Sequence, residues 1–443
     1  MTSPPHSPAL FLEPFAAPPP EPSDEETIRR RMEPILTELG AWRRQRTGFL
    51  GLPFCLEELE KVHYWAKRIR ERALRLVVFG LGGSSLGGEM LVSALGGDGL
   101  SVRFVDNVDP DAMAEVALID WRESFLLVIS KSGGTLETLA QFLTTLPDLH
   151  HQLGRRLADH AAVITDHPET PMGRIAAWHG IPVIPHPAVG GRFSALSVVG
   201  LLPAAAAGVA VDELIHAAAL QAEACARPVL EENPGAAMGA DLYRWLQQGR
   251  TTAVWWHYGD RLAQVAAWYA QLSAESLGKR TGGAGEGTGR CVGLTPIVAR
   301  GTTDQHSQLQ LHLDGPPDKQ FTFLYDPRLA LKGRGIPPLP EGFSAVEEPA
   351  LWASCAPLRG QTTGRLFEAE FLGVRESLAV SGAPVRTFHL PEGGVAALGE
   401  LIVLLETETV VAGRLLGVDP FDQPAVEDGK QRAKRRLLAS GAT

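Results

Sequence analysis

From about Leu74 onward, short apolar runs alternate with helical stretches, and this alternation constrains the fold more than any other feature of the chain. The runs are 76–79, 102–105, 125–129, 161–164 and 181–184. Each run is rich in β-favouring residues and leads through a polar or glycine turn into a helical segment. That order predicts parallel βαβ units, and the spacing fits a doubly wound sheet. Around 208–232 the composition turns alanine-rich, which predicts a helical bridge. A second series follows at 252–256, 294–298, 321–324 and 385–390, with helical stretches such as 261–277 and 365–381 between. The reading is an α/β chain with two αβα sandwich lobes, each on a parallel doubly wound sheet, plus a helical C-terminal tail. At ~100–200 residues per domain, 443 residues accommodate this. The divisions are a flexible arm over 1–25, lobes over 26–210 and 211–395, and a helical segment over 396–443. Helical pattern begins near Asp24. No sequence repeat between the lobes is evident.

Several function classes are disfavoured at once. A formal net charge of −10 argues against nucleic acid or an acidic membrane as partner, since both repel such a protein. The proline-rich start, 1–26, lacks the basic-then-apolar order of a signal peptide. The most apolar stretch, 196–211, contains Gly200 and Pro203 and falls short of the ~20 residues that span a bilayer, so it reads as a buried helix. Cys55, Cys225, Cys291 and Cys355 are scattered, as reduced thiols in a cytoplasmic protein would be. The histidines show no HExxH spacing. Arginine far outnumbers lysine, so each lysine in an unusual context merits inspection.

Two loops look built for a phosphate. The first, 80–88, reads Gly-Leu-Gly-Gly-Ser-Ser-Leu-Gly-Gly between a strand and a helix. Glycines let the backbone approach a ligand, and a helix start offers N–H groups to an anion. The second, 130–138, offers the hydroxyls of Ser130, Ser132, Thr135 and Thr138 and the ammonium of Lys131. Such groups make an anion cage. Either loop alone can be a tight turn. A dinucleotide fingerprint needs glycine where Ser85 stands, although Asp106 lies at a tempting distance. The Walker pattern needs Gly-Lys-Ser/Thr, which the first loop lacks. Two such loops on one sheet edge favour a small phosphate ester.

At these residues the chain resembles the sugar isomerase (SIS) superfamily, and within it the glucose-6-phosphate isomerase family. The motifs that carry the resemblance are, in order, the Gly-Gly-Ser loop in 82–88, Ser-Lys-Ser through Glu-Thr in 130–138, Gly190-Gly191-Arg192-Phe193-Ser194, Gln271 through Glu275-Ser276, Gly301-Thr302 through Gln305-His306, and Asp422-Gln423 through Gly429-Lys430. They extend over about 75–435. Ser132 stands where the family usually has threonine, and Gly134 where threonine is common, which affects only details of phosphate holding. The arm 1–25 has no counterpart.

The resemblance implies interconversion of glucose 6-phosphate and fructose 6-phosphate through a cis-enediolate, in glycolysis and gluconeogenesis. Such a reaction needs a base close to two adjacent carbons and a cation near the enediolate oxygens. The resemblance implies Glu275 as the base, Arg192 as the cation, and His306 with Lys430 as the ring-opening groups. It also implies that His306 enters from the partner subunit of a homodimer. Gly83, Ser84, Ser130, Lys131, Ser132, Thr135 and Thr138 are then expected to hold the phosphate, with Gln271 and Gln423 on the sugar or its phosphate. Glu137 is expected to orient Arg192 or a loop, because a carboxylate beside a phosphate would repel it. No metal or organic cofactor is expected. From local sequence alone, Glu275 reads as an exposed helix glutamate, Arg192 as a structural ion-pair partner, His306 as structural and Lys430 as a solvated helix lysine. A non-catalytic sugar-phosphate sensor on the same lobes is the alternative; it would not need Glu275, His306 and Lys430.

Overall fold

Arg75–Phe79 and Ser124–Ile129 are apolar at nearly every position, as strands covered on both faces must be. In the computed structural model, which describes residues 10–14, 22–282, 289–337, 346, 349–390 and 394–440, both strands lie inside a five-stranded sheet. The order across that sheet is Ser101–Val105, Arg75–Phe79, Ser124–Ile129, Ala161–Thr165 and Val183–Pro185, all parallel. The expected run 181–184 therefore begins two residues late. The second sheet sets Thr295–Arg300, Thr252–Tyr258, Lys319–Tyr325 and Val385–His389 side by side, again parallel. Taken by their place in the chain, the first four parallel strands stand second, first, third, fourth in both sheets. The two lobes thus share a topology that their sequences do not announce.

The strand period of two sorts each sheet's side chains into layers. Leu76 and Val78 belong to one buried cluster, which continues through Leu201, Leu214 and Leu401 to Trp255 of the second sheet. Val77 and Phe79 point the other way, with Trp121 and Phe142. Val254 and Trp256 likewise form an outer cluster with Phe323 and Phe371. A helical middle layer joins the inner faces of the two sheets. Helix Val198–Ala206 lies there, buried along its whole length. The expected helix over 196–211 is shorter than predicted, because a turn separates it from the helix Val211–Ala224.

The expected helical C-terminal segment opens with helix Val395–Leu416. It is buried on nearly all sides and packs on Val211–Ala224 and Pro234–Gln247. Its Glu408 is fully buried and bonded to Arg386, with Nη1–Oε1 at 2.5 Å and Nη2–Oε2 at 3.2 Å. Only the last helix, Val426–Ser440, is exposed over its described side chains.

The flexible arm expected over 1–25 also needs correction. Phe11–Glu13 forms an antiparallel edge strand on Val385–His389, the N–H of Leu10 donates to Glu400 at 2.8 Å, and the first helix starts at Pro22. The remainder of that segment, 1–9 and 15–21, lies outside the described residues. Among the described residues, no helix is long and apolar enough to cross a membrane.

Candidate active site

Both glycine- and hydroxyl-rich loops leave the C-terminal ends of neighbouring strands, where Phe79 pairs with Val128. The chain runs from Arg75–Phe79 outward to Ser101–Val105 and then crosses to the other side. The crevice between the two loops is therefore the topological switch point, where doubly wound sheets take up ligands.

The first loop forms a single turn of 3-10 helix at Gly82–Ser84 before the helix Leu86–Leu95. Gly82 has φ +57°, and a side chain there would stand 2.9 Å from Gln271 Nε2. At Gly83 a Cβ would fall 2.3 Å from the carbonyl carbon of Gly191 and 2.7 Å from the nitrogen of Arg192. No real Cβ tolerates that approach, so glycine is what lets this loop touch the Arg192 segment. Ser84 is half-buried.

In the second loop, Ser130 is buried and its hydroxyl donates to Thr135 Oγ1 at 3.1 Å. Lys131 Nζ donates to the carbonyl of Val189 at 2.8 Å, which ties this loop to the same segment. Ser132 is exposed, and its hydroxyl accepts from the Gly134 N–H at 3.3 Å. Thr135 caps the helix Leu136–Leu153 without using its hydroxyl for the cap. Thr138 Oγ1 is buried with no partner among the described residues.

Arg192 stands at the centre, 3% exposed. A guanidinium carries five N–H donors, and all five are used. Nε donates to Ser276 Oγ at 2.8 Å. Nη1 donates to Glu275 Oε2 at 3.0 Å and to Gln423 Oε1 at 2.8 Å. Nη2 donates to the carbonyls of Pro420 at 2.5 Å and Asp422 at 3.0 Å. Burial pulls its pKa below the ordinary arginine value, opposed by the carboxylates of Glu275, Asp422 and Asp419; an arginine stays charged through such a shift. Gln271 and Glu275 are one turn apart on helix Ala263–Leu277, so they share a face, and Gln271 Nε2 donates to Glu275 Oε1 at 3.0 Å. Glu275 keeps 30% of its side chain exposed. The cation is therefore enclosed while the carboxylate still opens to solvent, an arrangement suited to a base that meets a ligand.

The single chain thus gathers Gly83, Arg192, Gln271, Glu275 and Gln423, and ties Lys131 to their edge. It does not gather His306 or Lys430. His306 is exposed at the end of the 3-10 turn Thr303–His306. Lys430 is 61% exposed, with its ammonium 2.8 Å from Glu427. The expected role for Glu137 on Arg192 is not found: it is exposed, and the five donors of Arg192 go elsewhere. One residue of the cluster has no place in the sequence reading. Lys279 pairs with Asp422 at 2.7 Å and donates to the carbonyl of Asp419. Its position just after Glu275-Ser276, in a chain with few lysines, was the available signal.

A family model described as phosphoglucose isomerase matches residues 58–317. A glucose-6-phosphate isomerase of Carboxydothermus hydrogenoformans is 37% identical over 411 residues, covering 89% of this chain and 85% of that protein. Among solved structures, a hypothetical protein from Thermus thermophilus superposes with a TM-score of 0.79 at 33% identity, covering 94% of this chain and 97% of its own. A glucose-6-phosphate isomerase from Chlamydia trachomatis gives 0.77 at 20% identity, covering 98% and 89%; at that identity the likeness is one of fold.

Proposed function

This chain belongs to the phosphoglucose isomerase family, and we propose that it interconverts glucose 6-phosphate and fructose 6-phosphate by ring opening and proton transfer through a cis-enediolate. The observation that carries the reading is that one buried arginine, Arg192, binds two segments far from it in sequence, at 275–276 and 420–423. A phosphate-binding fold alone has no need of a carboxylate so held. That distinguishes the isomerase from a non-catalytic sugar-phosphate-binding protein on the same lobes.

In the open-chain aldose, Glu275 takes the proton from C2. The C–H electron pair becomes the C1–C2 double bond, and the carbonyl oxygen at C1 gains negative charge. The buried charge of Arg192 lowers the energy of that charge. The C2 hydroxyl proton passes to the C1 oxygen, which moves the negative charge to the C2 oxygen; as that oxygen's electron pair closes to the C2 ketone, the C1–C2 double bond takes the proton back from the Glu275 carboxyl at C1. The phosphate takes no part in bond making. Held by Gly83, Ser84, Ser130, Lys131, Ser132, Thr135 and Thr138, it anchors the sugar so that C1 and C2 lie beside Glu275, which removes much of the entropic barrier. Gln271 and Gln423 complete the sugar contacts.

Ring opening needs a second proton-transfer pair, and we assign it to His306 and Lys430. Because His306 lies away from its own chain's Arg192 cluster, the working unit is a homodimer in which His306 serves the partner's site. Lys430 joins it on release from its exposed contact with Glu427. The reaction belongs to glycolysis and gluconeogenesis, and we place it in the cytoplasm.

The test is a coupled assay of the purified protein with fructose 6-phosphate. Formation of glucose 6-phosphate without added metal is the expected result; no formation rejects the reading. Mixing tests the shared site. Chains carrying Glu275→Gln and chains carrying His306→Ala are each expected to be nearly inactive. After subunit exchange, random pairing makes half of the dimers mixed, each with one intact site, so about a quarter of wild-type activity returns. No recovery despite demonstrated exchange contradicts a site shared between subunits.

A further inference from the structure

Three of the five acceptors around Arg192 come from one short turn: the carbonyls of Pro420 and Asp422 and the side-chain oxygen of Gln423. What holds that turn decides where the guanidinium sits. The ring of Phe421 is one anchor, with centroids 5.5 Å from Trp42 and 5.1 Å from Phe193. The Phe421 N–H also donates to Asp419 Oδ1 at 3.1 Å within the turn. Arg414 is a second, with Nη1 3.8 Å from Asp419 Oδ1 and its guanidinium 5.8 Å from the centre of the Phe421 ring, and Lys279 is a third. Its side chain is 10% exposed, its ammonium pairs with Asp422 Oδ1 at 2.7 Å, and it donates to the Asp419 carbonyl. It thus grips the turn at 419 and again at 422. Lys279 also follows directly on the helix that carries Gln271, Glu275 and Ser276.

We infer that Lys279 is a positioning residue of the isomerase, clamping the turn 419–423 to the end of the Glu275 helix so that Arg192 is held against the base. The inference rests on the isomerase reading above. Asp422 serves both cations at once, its carboxylate on Lys279 and its carbonyl on Arg192. The two like charges are thereby bridged by one residue. Burial lowers the pKa of Lys279, and the Arg192 charge adds to that, while Asp422 and Asp419 oppose both. Among the described residues Lys279 has no hydrogen bond or ion pair to Glu275 or to either phosphate loop, so it acts through the turn it clamps and, by way of that turn, on Arg192.

The consequence is a separation of kinetic constants. The phosphate grip is built elsewhere, so loss of the ammonium leaves substrate affinity largely intact. A displaced Arg192 stabilises the enediolate less, which lowers kcat. Phe421 still holds the turn from its other side, so the displacement is partial.

The experiment measures wild type first, with fructose 6-phosphate; a wild-type chain inert toward it overturns the isomerase reading and this inference together. With an active wild type, Lys279→Met is expected to lower kcat about 10-fold with KM changed less than about 2-fold. In an Arg192→Lys background the same substitution is expected to lower kcat by less than about 2-fold, because residues acting through one another are not additive. A residue that only supports the fold would lower the melting temperature and leave kcat unchanged well below it. Should Lys279→Met not fold, Asp422→Asn keeps the turn's carbonyls and removes the ion pair; it is expected to lower kcat in the same direction. A kcat within about 2-fold of wild type in the folded variant, or an undiminished loss in the Arg192→Lys background, removes Lys279 from this role while leaving the isomerase reading untouched.

Discussion

Replacing Glu275 by glutamine is expected to leave fructose 6-phosphate binding in place and to slow turnover at least ~100-fold, the usual scale for losing an acid–base group. Glutamine matches the carboxylate in shape. Its oxygen can still accept from Arg192 Nη1 or from Gln271 Nε2, which at present reach Oε2 and Oε1 respectively. The amide nitrogen must then face one of these donors, so one contact is lost; Glu275 is partly open to solvent, which limits the structural cost. What cannot be replaced is the basicity of the carboxylate, which an amide oxygen lacks and which takes the proton from carbon. Calorimetric titration with fructose 6-phosphate and steady-state rates together check this. Unimpaired turnover would show that another group is the base.

Arg192→Met is expected to affect turnover and stability together. Methionine fills part of the space but offers no donor. The carbonyls of Pro420 and Asp422, the hydroxyl of Ser276 and the amide of Gln423 would all lose their bond to a buried cation. An orphaned buried acceptor costs roughly 1–3 kcal/mol, and relaxation of the 419–423 turn recovers part of that. We expect a loss of about 3 kcal/mol, seen as a lower urea midpoint. Losing the charge beside the enediolate should lower kcat by ~100- to 1,000-fold. The two substitutions therefore give different signatures. Glu275→Gln changes rate at near-constant stability, whereas Arg192→Met changes both. An Arg192→Met protein as stable as wild type would contradict the five-donor account of this residue.

The strand runs of both lobes were legible because a buried parallel strand writes itself locally, as in Ser124–Ile129 and Lys319–Tyr325. The two loops were legible as connections for a similar reason: glycine and hydroxyl residues gather where a strand turns into a helix. Long-range pairing left no such trace. Phe11–Glu13 is three residues long and pairs with a strand near the other end of the chain, too short to show a period of two. Val395–Leu416 carries Glu400, Glu406 and Glu408, residues that belong at a surface by type yet are buried here, and burial pushes the Glu406 carboxyl well above the usual carboxylate range. The Glu408 charge becomes tolerable through Arg386, which lies on a strand outside that helix. The motifs contain Arg192, Gln271, Glu275 and Gln423, which the fold brings into one hydrogen-bonded cluster. They did not locate Lys279 or the carbonyl acceptors at 420 and 422, because a main-chain oxygen has no residue type to read. Nor did they exclude Glu137 from the Arg192 shell, since helix position alone does not say which face a side chain takes.

The decisive measurement is a crystal of the Glu275→Gln variant soaked with fructose 6-phosphate. The phosphate is expected between the loops 80–88 and 130–138, with the side chain at 275 about 3–3.5 Å from C1 and C2, the distance of a near-attack geometry. A phosphate bound elsewhere, or a residue 275 standing well away from both carbons, would contradict the proposed site.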